Sequence, residues 1–152
     1  MADTNDLLRL DRQLCFTVYA AHHAFTAAYK AGLEPLGLTY PQYLVLLVLW
    51  EQEGLKVKEI GKRLHLDSGT LTPLLKRMEK GGLLRRLRDA ADERQVRIEL
   101  TEHGRHLQAE VLKVRQEIGC ALGGAEEPIQ DLRARLEGVI EQLSASGSAR
   151  SL

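Results

Sequence analysis

Residues 57–101 read VKEIGKRLHLDSGTLTPLLKRMEKGGLLRRLRDAADERQVRIELT, and this stretch decides the fold. Apolar residues recur at helical spacing from Val57 to Leu64, and His65-Leu66-Asp67 then interrupts the pattern. A second amphipathic run starts at Ser68, a residue type that favours the N-cap position of a helix. The stretch therefore predicts a short helix, a tight turn and a second helix.

The second helix has one apolar side and one polar side. Its apolar side, at helical spacing, consists of Leu71, Leu74, Leu75 and Met78. The residues that face outward carry mainly hydroxyls and cations: Ser68, Thr70, Thr72, Pro73, Lys76 and Arg77. Gly81-Gly82 predicts the end of the helix after about 13 residues, or roughly 20 Å, which is long enough to lie in a DNA major groove.

Two short strands follow the second helix. Leu83–Arg88 and Gln95–Leu100 alternate between apolar and polar residues, and Asp89–Arg94 supplies the turn between them. The order helix, turn, helix, hairpin is that of a winged helix. We therefore predict a mainly α-helical fold with a small β-hairpin wing.

The charge distribution also separates this region from the rest of the chain. Residues 56–97 contain twelve Lys or Arg against six Asp or Glu, although the whole chain has a formal net charge of zero. A basic run alone usually serves only to solvate a surface, but here it coincides with the helix-turn-helix and the wing. The charge pattern therefore favours a nucleic-acid interface.

Two motifs in this region resemble a known family of regulators. Asp92-Glu93-Arg94 followed by VRIELT at 96–101 resembles the wing of the multiple antibiotic resistance regulator (MarR) family, and LDSGTLTPLLKR at 66–77 resembles the organic hydroperoxide resistance regulators within it. The resemblance implies that Arg94 enters a minor groove and that Asp92 orients it. We expect contacts to an inverted-repeat operator in double-stranded DNA from Ser68, Gly69, Thr70, Thr72, Pro73, Lys76, Arg77, Arg86, Arg88, Asp92 and Arg94.

The resemblance implies that the remaining helices form a helical dimerisation lobe. Asp6 to Ala31 reads as one long helix with two apolar stripes, which implies two packing partners, and Tyr40-Pro41 opens a buried helix. Helices are expected again from Thr101 to about Ile118 and from Glu126 to Leu143. The predicted division is residues 6–38 and 102–145 for the dimerisation lobe of a homodimer, 40–101 for the winged helix, and 146–152 for a flexible tail.

Composition narrows the function classes. The chain has 152 residues, enough for one domain, and neither a signal peptide nor a membrane span is read from it, so a cytoplasmic location is expected. Two cysteines 105 positions apart form neither a disulfide framework nor a zinc motif. His22 and His23 are adjacent and so point apart on a helix, and His103 and His106 lack an obvious third ligand. We therefore predict no metal and no cofactor.

Cys15 is the candidate sensor residue. On a helical stripe a lone cysteine is usually a small buried apolar side chain. The resemblance to the hydroperoxide regulators extends over RLDRQLCFTVYAA at 9–21 and LTYPQYLVLLVLWE at 38–51, and it implies that Cys15 is oxidised by organic hydroperoxides. It also implies that Tyr29 and Tyr40 donate hydrogen bonds to this sulfur from the partner subunit. Without the resemblance, both tyrosines could equally be core residues.

Cys120 lies near a predicted helix end, among glycines. It resembles the resolving cysteine of the two-cysteine regulators, which implies an intersubunit disulfide with Cys15 that releases the operator. An inert interface residue is the alternative. Two other functions remain open: a MarR-type repressor relieved by a small phenolic or aromatic ligand, and a thiol peroxidase. The peroxidase reading leaves the basic winged helix unexplained, so no enzyme activity is expected.

Overall fold

The computed structural model describes residues 4–149, which form seven α-helices, two short 3-10 turns and one three-stranded antiparallel sheet. The helices are α1 (Thr4–Leu7), α2 (Leu14–Leu33), α3 (Tyr40–Glu51), α4 (Val57–Leu64), α5 (Ser68–Lys80), α6 (Glu102–Ala121) and α7 (Glu126–Ala149). The strands are β1 (Leu55–Lys56), β2 (Leu84–Arg88) and β3 (Val96–Leu100), and the 3-10 turns are Leu10–Arg12 and Glu34–Leu36. The predicted fold class is confirmed.

The chain divides into two compact units. The first ends at Arg115 and the second starts at Gln116, so the boundary falls within α6. The first unit contains the sheet and the helix-turn-helix, and the second contains the end of α6 and all of α7.

The helix-turn-helix is held together by the apolar sides of α4 and α5. Ile60, Leu71, Leu75 and Met78 are fully buried. Gly61 is required at the turn, because a Cβ atom there would lie 2.6 Å from the carbonyl oxygen of Leu66. The apolar stripe predicted for the second helix is therefore the core of this motif.

The start of α5 differs from the prediction by one residue. Asp67, rather than Ser68, is the N-cap, and its carboxylate accepts a 2.7 Å hydrogen bond from the backbone N–H of Thr70. A carboxylate at this position also interacts favourably with the positive end of the helix dipole. Ser68 becomes the first helical residue.

The sheet has the order β1-β3-β2, and the predicted hairpin forms its larger part. β2 pairs with β3 from Leu84 opposite Leu100 to Arg88 opposite Val96. Strand β1 was not predicted, because alternation is not visible in a strand of two residues.

Helix α3 connects this sheet to α6. Its N-terminus carries a capping box, in which Thr39 and Gln42 accept each other's backbone N–H groups. Four of its apolar residues are buried at 5% exposure or less: Val45, Leu46, Val48 and Leu49. At its other end, the indole Nε1 of Trp50 donates a 2.9 Å hydrogen bond to the carbonyl of Gly104 in α6. This bond fixes the two helices to each other.

The predicted helix from Asp6 to Ala31 is wrong in its first part. Arg9 and Gln13 have extended backbones, which separate α1, a 3-10 turn and α2. The Gln13 side chain donates to the carbonyls of Leu7 and Arg9, so it stabilises the break. The helical spacing of apolar residues continues across the break between α1 and α2, so the spacing did not reveal the break.

The C-terminal helices are longer than predicted. α6 continues to Ala121, and α7 continues to Ala149, where the sequence suggested a frayed segment after Leu143. The Ser146 hydroxyl donates to the carbonyl of Gln142, one turn earlier in the same helix. Residues 150–152 of the predicted tail lie outside the described residues. Among the helices described, none is long and apolar enough to cross a membrane.

Candidate nucleic-acid interface and cysteine site

The outer face of α5 carries the predicted contact residues. Ser68, Gly69, Thr70, Pro73, Lys76 and Arg77 are exposed, and Thr72 is half-buried. Among the residues that the structure describes, neither Lys76 nor Arg77 takes part in an ion pair. Both cations are therefore available to an external anion.

A groove separates the first turn of α5 from the wing. It has a volume of about 620 Å³. Its lining residues are Lys56, Val57, Lys58, Glu59, Ser68, Thr72, Arg86, Arg94, Gln95 and Val96. The groove, hereafter the wing groove, brings four basic side chains together against one acidic one. It therefore brings Ser68 and Thr72 together with Arg86 and Arg94.

The wing is anchored by a buried carboxylate. Asp89 is 4% exposed and accepts hydrogen bonds from the backbone N–H of Ala91 at 2.8 Å and from the Arg97 guanidinium at 2.7 Å. The Lys56 ammonium lies 3.9 Å away. The Ala91 N–H first, and then Arg97 and Lys56, hold the pKa of Asp89 below its usual range. Asp89 thus has a structural role. The sequence predicted only that it lies in the turn of the hairpin.

Arg86 differs from the other predicted contacts. Its side chain is 24% exposed, its Nη1 lies 3.9 Å from the Glu79 carboxylate, and its Nε is buried without a hydrogen-bond partner among the described residues. Arg88, on the same strand, is exposed. Arg86 is therefore only partly free to contact DNA.

Asp92 and Arg94 lie at the tip of the wing. The Asp92 carboxylate accepts a 3.1 Å hydrogen bond from the backbone N–H of Arg94 and a 3.0 Å bond from the Gln95 side chain. Asp92 therefore fixes the backbone of the turn, and the exposed Arg94 guanidinium extends from it.

Cys15 is the second residue of α2, and it is exposed in the single chain. Its apolar neighbours on this helix are exposed as well, with Leu14 at 56%, Phe16 at 40% and Val18 at 43%. An apolar helical face of this kind usually marks an interaction surface.

Three tyrosines form one aromatic cluster. The rings of Tyr29 and Tyr43 stack at 4.9 Å, and Tyr40 lies 5.5 Å from Tyr29 and 5.8 Å from Tyr43. The hydroxyl oxygens of Tyr43 and Tyr29 lie 3.4 Å apart, so the two phenols are joined by a long hydrogen bond. Burial, and then the neighbouring Tyr29, raise the pKa of Tyr40, so its phenol stays protonated at neutral pH.

A cavity of about 430 Å³ adjoins this cluster. It is lined by His22, Thr26, Lys30, Glu34, Leu38, Thr39, Tyr40 and Pro41. Its walls come from α2, the 3-10 turn and the start of α3. The cavity can accept a small molecule beside Tyr40.

Cys120 belongs to the second unit, in the last turn of α6, and is exposed. Gly123 and Gly124 follow it, and both have a positive φ, which glycine adopts without steric cost. Within residues 4–149, no three His, Cys, Asp or Glu side chains come together as a metal site.

Comparison with known proteins decides the family. The family model for the transcriptional regulator SarA/Rot matches residues 27–111. The chain is 47% identical to the organic hydroperoxide resistance transcriptional regulator of Bacillus subtilis over 133 residues, which are 88% of each protein. The chain belongs to the MarR family of winged-helix transcriptional regulators. The regulators that it resembles are DNA-binding proteins, so it is a transcriptional regulator rather than an enzyme.

Other MarR-type relatives match over most of the chain. The chain is 52% identical over 148 residues to the HTH-type transcriptional regulator TtmR of Methylorubrum extorquens, covering 97% of this chain and 76% of TtmR. Reduced AbfR bound to DNA, a protein of Staphylococcus epidermidis, is 36% identical with a TM-score of 0.79, covering 91% of this chain and 96% of AbfR. AbfR in its disulfide form gives a TM-score of 0.66 over 90% of this chain and 96% of AbfR.

Some residues of this MarR-family site were not predicted from the sequence. Tyr43 was not singled out, although Tyr40 and Tyr43 are three positions apart on one helix and helical spacing could have paired them. Lys56, Lys58 and Gln95 also line the wing groove. The two lysines were counted in the basic region but were not assigned to a contact surface. Spacing along the chain does not show which residues of β1 and α4 face α5.

Proposed function

We propose that the chain is a homodimeric repressor that releases operator DNA when an organic hydroperoxide oxidises Cys15. The observation that carries this proposal is the 47% identity to the hydroperoxide resistance regulator of Bacillus subtilis, spanning 88% of both proteins. The exposed Cys15 within an exposed apolar face supports it. Two copies would use residues 6–38 and 102–145 as the dimerisation lobe and residues 40–101 as the DNA-binding lobe.

The exposed apolar residues support the dimer. In the first unit they include Leu7, Leu8, Leu10, Leu14, Phe16, Val18, Tyr19 and Phe25. In the second unit they include Leu132, Ile140 and Leu143 of α7. Apolar surface of this extent costs free energy in water, and a second copy of the chain would remove it from water.

DNA binding would use α5 in the major groove and the wing in the adjacent minor groove. The free cations Lys76 and Arg77 and the exposed Arg94 suit phosphate and base contacts. A reduced relative of 36% identity is bound to DNA in its structure. By analogy, two copies of this chain would address the half-sites of an inverted repeat about one helical turn apart.

The sensing step is the attack of a thiolate on a peroxide. The Cys15 sulfur bonds to the terminal oxygen of the hydroperoxide, the O–O bond breaks, and the alkoxide takes a proton and leaves as an alcohol. Cys15 becomes a sulfenic acid. Tyr29 and Tyr40 of the partner subunit would donate hydrogen bonds to the thiolate, since a phenolic O–H is a donor and the raised pKa of Tyr40 keeps it protonated at neutral pH. The apolar neighbours would favour organic hydroperoxides over hydrogen peroxide.

The resolving step would use Cys120 of the other copy. Its thiolate attacks the sulfenic sulfur of Cys15, an S–S bond forms, and water leaves. The structure of AbfR in a disulfide form supports disulfide chemistry in this group of proteins. Closing the bond would move the basic lobes and spoil their spacing on the operator.

The test is DNA binding before and after addition of cumene hydroperoxide. A duplex selected by the protein from a random library serves as the probe, and anisotropy gives the dissociation constant. We expect the wild-type protein to release the duplex and Cys15→Ser to retain it, because serine keeps nearly the same volume without a thiolate. Loss of DNA binding by the reduced Cys15→Ser protein would instead assign a structural role to Cys15.

The second candidate is a regulator relieved by a small phenolic or aromatic ligand. The cavity of about 430 Å³ beside Tyr40 favours it, because a single aromatic ring fits and Lys30 could bind a carboxylate. Both cysteines would then be silent. Release of DNA by salicylate from Cys15→Ser protein, with no response to hydroperoxide in the wild-type protein, would establish this alternative.

A further inference from the structure

The first turn of α6 is held by the loop between α5 and β2 and by the end of α3. The hydroxyl of Thr101, the residue before α6, donates to the carbonyl of Gly82 at 2.6 Å and accepts the backbone N–H of Gly104 at 3.1 Å. Gly104 lies so close to this loop that a Cβ atom there would be 2.1 Å from the carbonyl oxygen of Leu83. Its own carbonyl accepts the indole N–H of Trp50. We call this first turn and its contacts the α6 junction.

One carboxylate joins the α6 junction to the wing. Glu53, in the loop between α3 and β1, accepts hydrogen bonds on both oxygens from Arg105 of α6, from Nε and from Nη2 at 2.8 Å each. It also accepts the backbone N–H of Leu100, the last residue of β3, at 3.0 Å. The next residue, Gly54, donates its backbone N–H to the carbonyl of Ile98 in β3 at 2.8 Å. Glu53 thus contacts α6 and the central strand of the sheet at once.

The form of this ion pair indicates its role. An exposed ion pair usually contributes little to stability, and the side chains of Glu53 and Arg105 are 32% and 47% exposed. A two-point contact between a carboxylate and a guanidinium, however, fixes the mutual orientation of the two groups as well as their distance. Arg105 first, and then the Leu100 N–H, hold the pKa of Glu53 below its usual range, so the carboxylate stays charged at neutral pH. The pair is therefore better suited to orientation than to stability.

α6 extends from this junction to the proposed resolving cysteine. Arg105 lies in the first turn of the helix and Cys120 in the last. A helix is a stiff element, so a displacement of α6 on disulfide formation would reach its first turn. Which other elements move with that turn depends on the side chains that are fixed to it.

We propose that Glu53 and Arg105 are positioning residues of the release step, which orient the wing relative to α6 so that a movement of α6 withdraws the wing from the operator. The inference rests on the proposed redox-controlled function and adds the connection through which oxidation reaches the wing. The proposed contacts to DNA and to the Cys15 sulfur involve other residues. Glu53 and Arg105 therefore act through orientation alone.

The coupling is measured as the ratio of the dissociation constants of oxidised and reduced protein. The probe is the duplex selected by the wild-type protein, with anisotropy before and after treatment with cumene hydroperoxide. Mutations along a coupling network change such a ratio by roughly 2- to 30-fold. We expect Glu53→Gln and Arg105→Gln to lower the ratio by roughly fivefold or more, because their oxidised forms keep the wing on the duplex. Glutamine at position 53 can still accept the Leu100 N–H, so the loop stays bonded to β3.

Glu110→Gln is the matched control. Glu110 forms an exposed ion pair with Lys113 in the same helix, so its loss removes one carboxylate without loosening the α6 junction. This variant should keep the wild-type ratio. Circular dichroism checks folding, and thiol titration checks that every variant is oxidised to the same extent. A purely structural effect would change Tm or the affinity of the reduced protein and would leave the ratio unchanged.

Two further variants separate orientation from charge. Arg105→Lys keeps the charge without the two-point contact, so it should lower the ratio as Arg105→Gln does. If the two residues act through one ion pair, the double variant Glu53→Gln/Arg105→Gln should lower the ratio no further than either single variant. A wild-type ratio for Arg105→Lys, or additive effects in the double variant, would overturn the role of the pair.

The same measurements separate this inference from the function on which it rests. If the wild-type protein releases the duplex and Glu53→Gln and Arg105→Gln match Glu110→Gln, only the connection through this pair is wrong. If the fully oxidised wild-type protein keeps its duplex, the redox-controlled function fails and the inference fails with it.

Discussion

Asp89 and Arg97 join the two strands of the wing through a 2.7 Å hydrogen bond from the guanidinium Nε to a carboxylate that is 4% exposed. Arg97 also donates to the carbonyl of Gly54 at 2.7 Å. The pair thus ties the loop end of the hairpin to the residue that precedes β1. The position of the wing tip depends on this anchor.

The anchor predicts acid sensitivity of the winged helix. The depressed pKa of Asp89 contributes stability that is fully present above the unfolded value, about 3.9, and is lost as the pH falls through the lower folded value. Asp89→Asn should therefore lower Tm at pH 7, and the difference from the wild type should shrink below about pH 4. Thermal unfolding by circular dichroism measures both. The exposed control Asp131→Asn should stay near the wild type, and a pH-independent difference for Asp89→Asn would contradict the anchor.

Arg94 should contribute to DNA binding and not to folding. It is exposed, and its guanidinium forms no ion pair among the described side chains. We expect Arg94→Ala to weaken binding to the selected duplex by roughly tenfold or more, since a hydrogen bond that involves a charged group contributes about 1.5–3 kcal/mol. Tm should be unchanged. Arg133→Ala in α7 is the matched control, and equal affinity of the two variants would refute the wing assignment.

The tyrosine cluster should set the rate of sensing. A hydrogen bond to a charged group contributes about 1.5–3 kcal/mol, so loss of a phenolic donor should slow oxidation of Cys15 by roughly tenfold or more. We expect this effect for Tyr29→Phe and Tyr40→Phe. Stopped-flow measurement of sulfenic acid formation with cumene hydroperoxide gives the rate. Tyr19→Phe serves as the control, and wild-type rates for all three variants would exclude phenolic donation.

The two cysteines should produce a covalent dimer on oxidation. Treatment with an organic hydroperoxide should give a dimer band on a non-reducing gel, which dithiothreitol removes. The band should be absent in Cys15→Ser and in Cys120→Ser, and the latter should accumulate sulfenic and sulfinic acid by mass spectrometry. Oxidised protein that remains a monomer on the gel but still leaves DNA would rule out the intersubunit step.

The sequence was sufficient for the winged helix because each boundary there has a local chemical cause. Gly81-Gly82 ends α5, the left-handed His65 ends α4, and alternation marks the hairpin. The break before α2 was missed because it depends on the Gln13 side chain bonding to the carbonyls of Leu7 and Arg9, and such bonds leave no periodic trace.

Less of the candidate site was predictable. The exposed face of α5 follows from helical spacing, and Tyr29 and Tyr40 came from the family resemblance. Spacing alone could not place the buried Asp89 beside Arg97 and Lys56, since these residues are brought together by strand register and by the edge strand β1. The pairing of Cys15 with Cys120 stays a prediction, because a disulfide between two copies of a chain has no signature in the sequence of one.

The hydrogen bond between Trp50 and Gly104 has a spectroscopic consequence. Trp50 is the only tryptophan in the sequence, and its half-buried indole reports on one place, the contact of α3 with α6. Its emission wavelength and lifetime depend on that donated bond and on access of water to the ring. The unlabelled protein therefore carries its own fluorophore, and a shift in emission after mixing with peroxide would time any loosening of this contact without a dye.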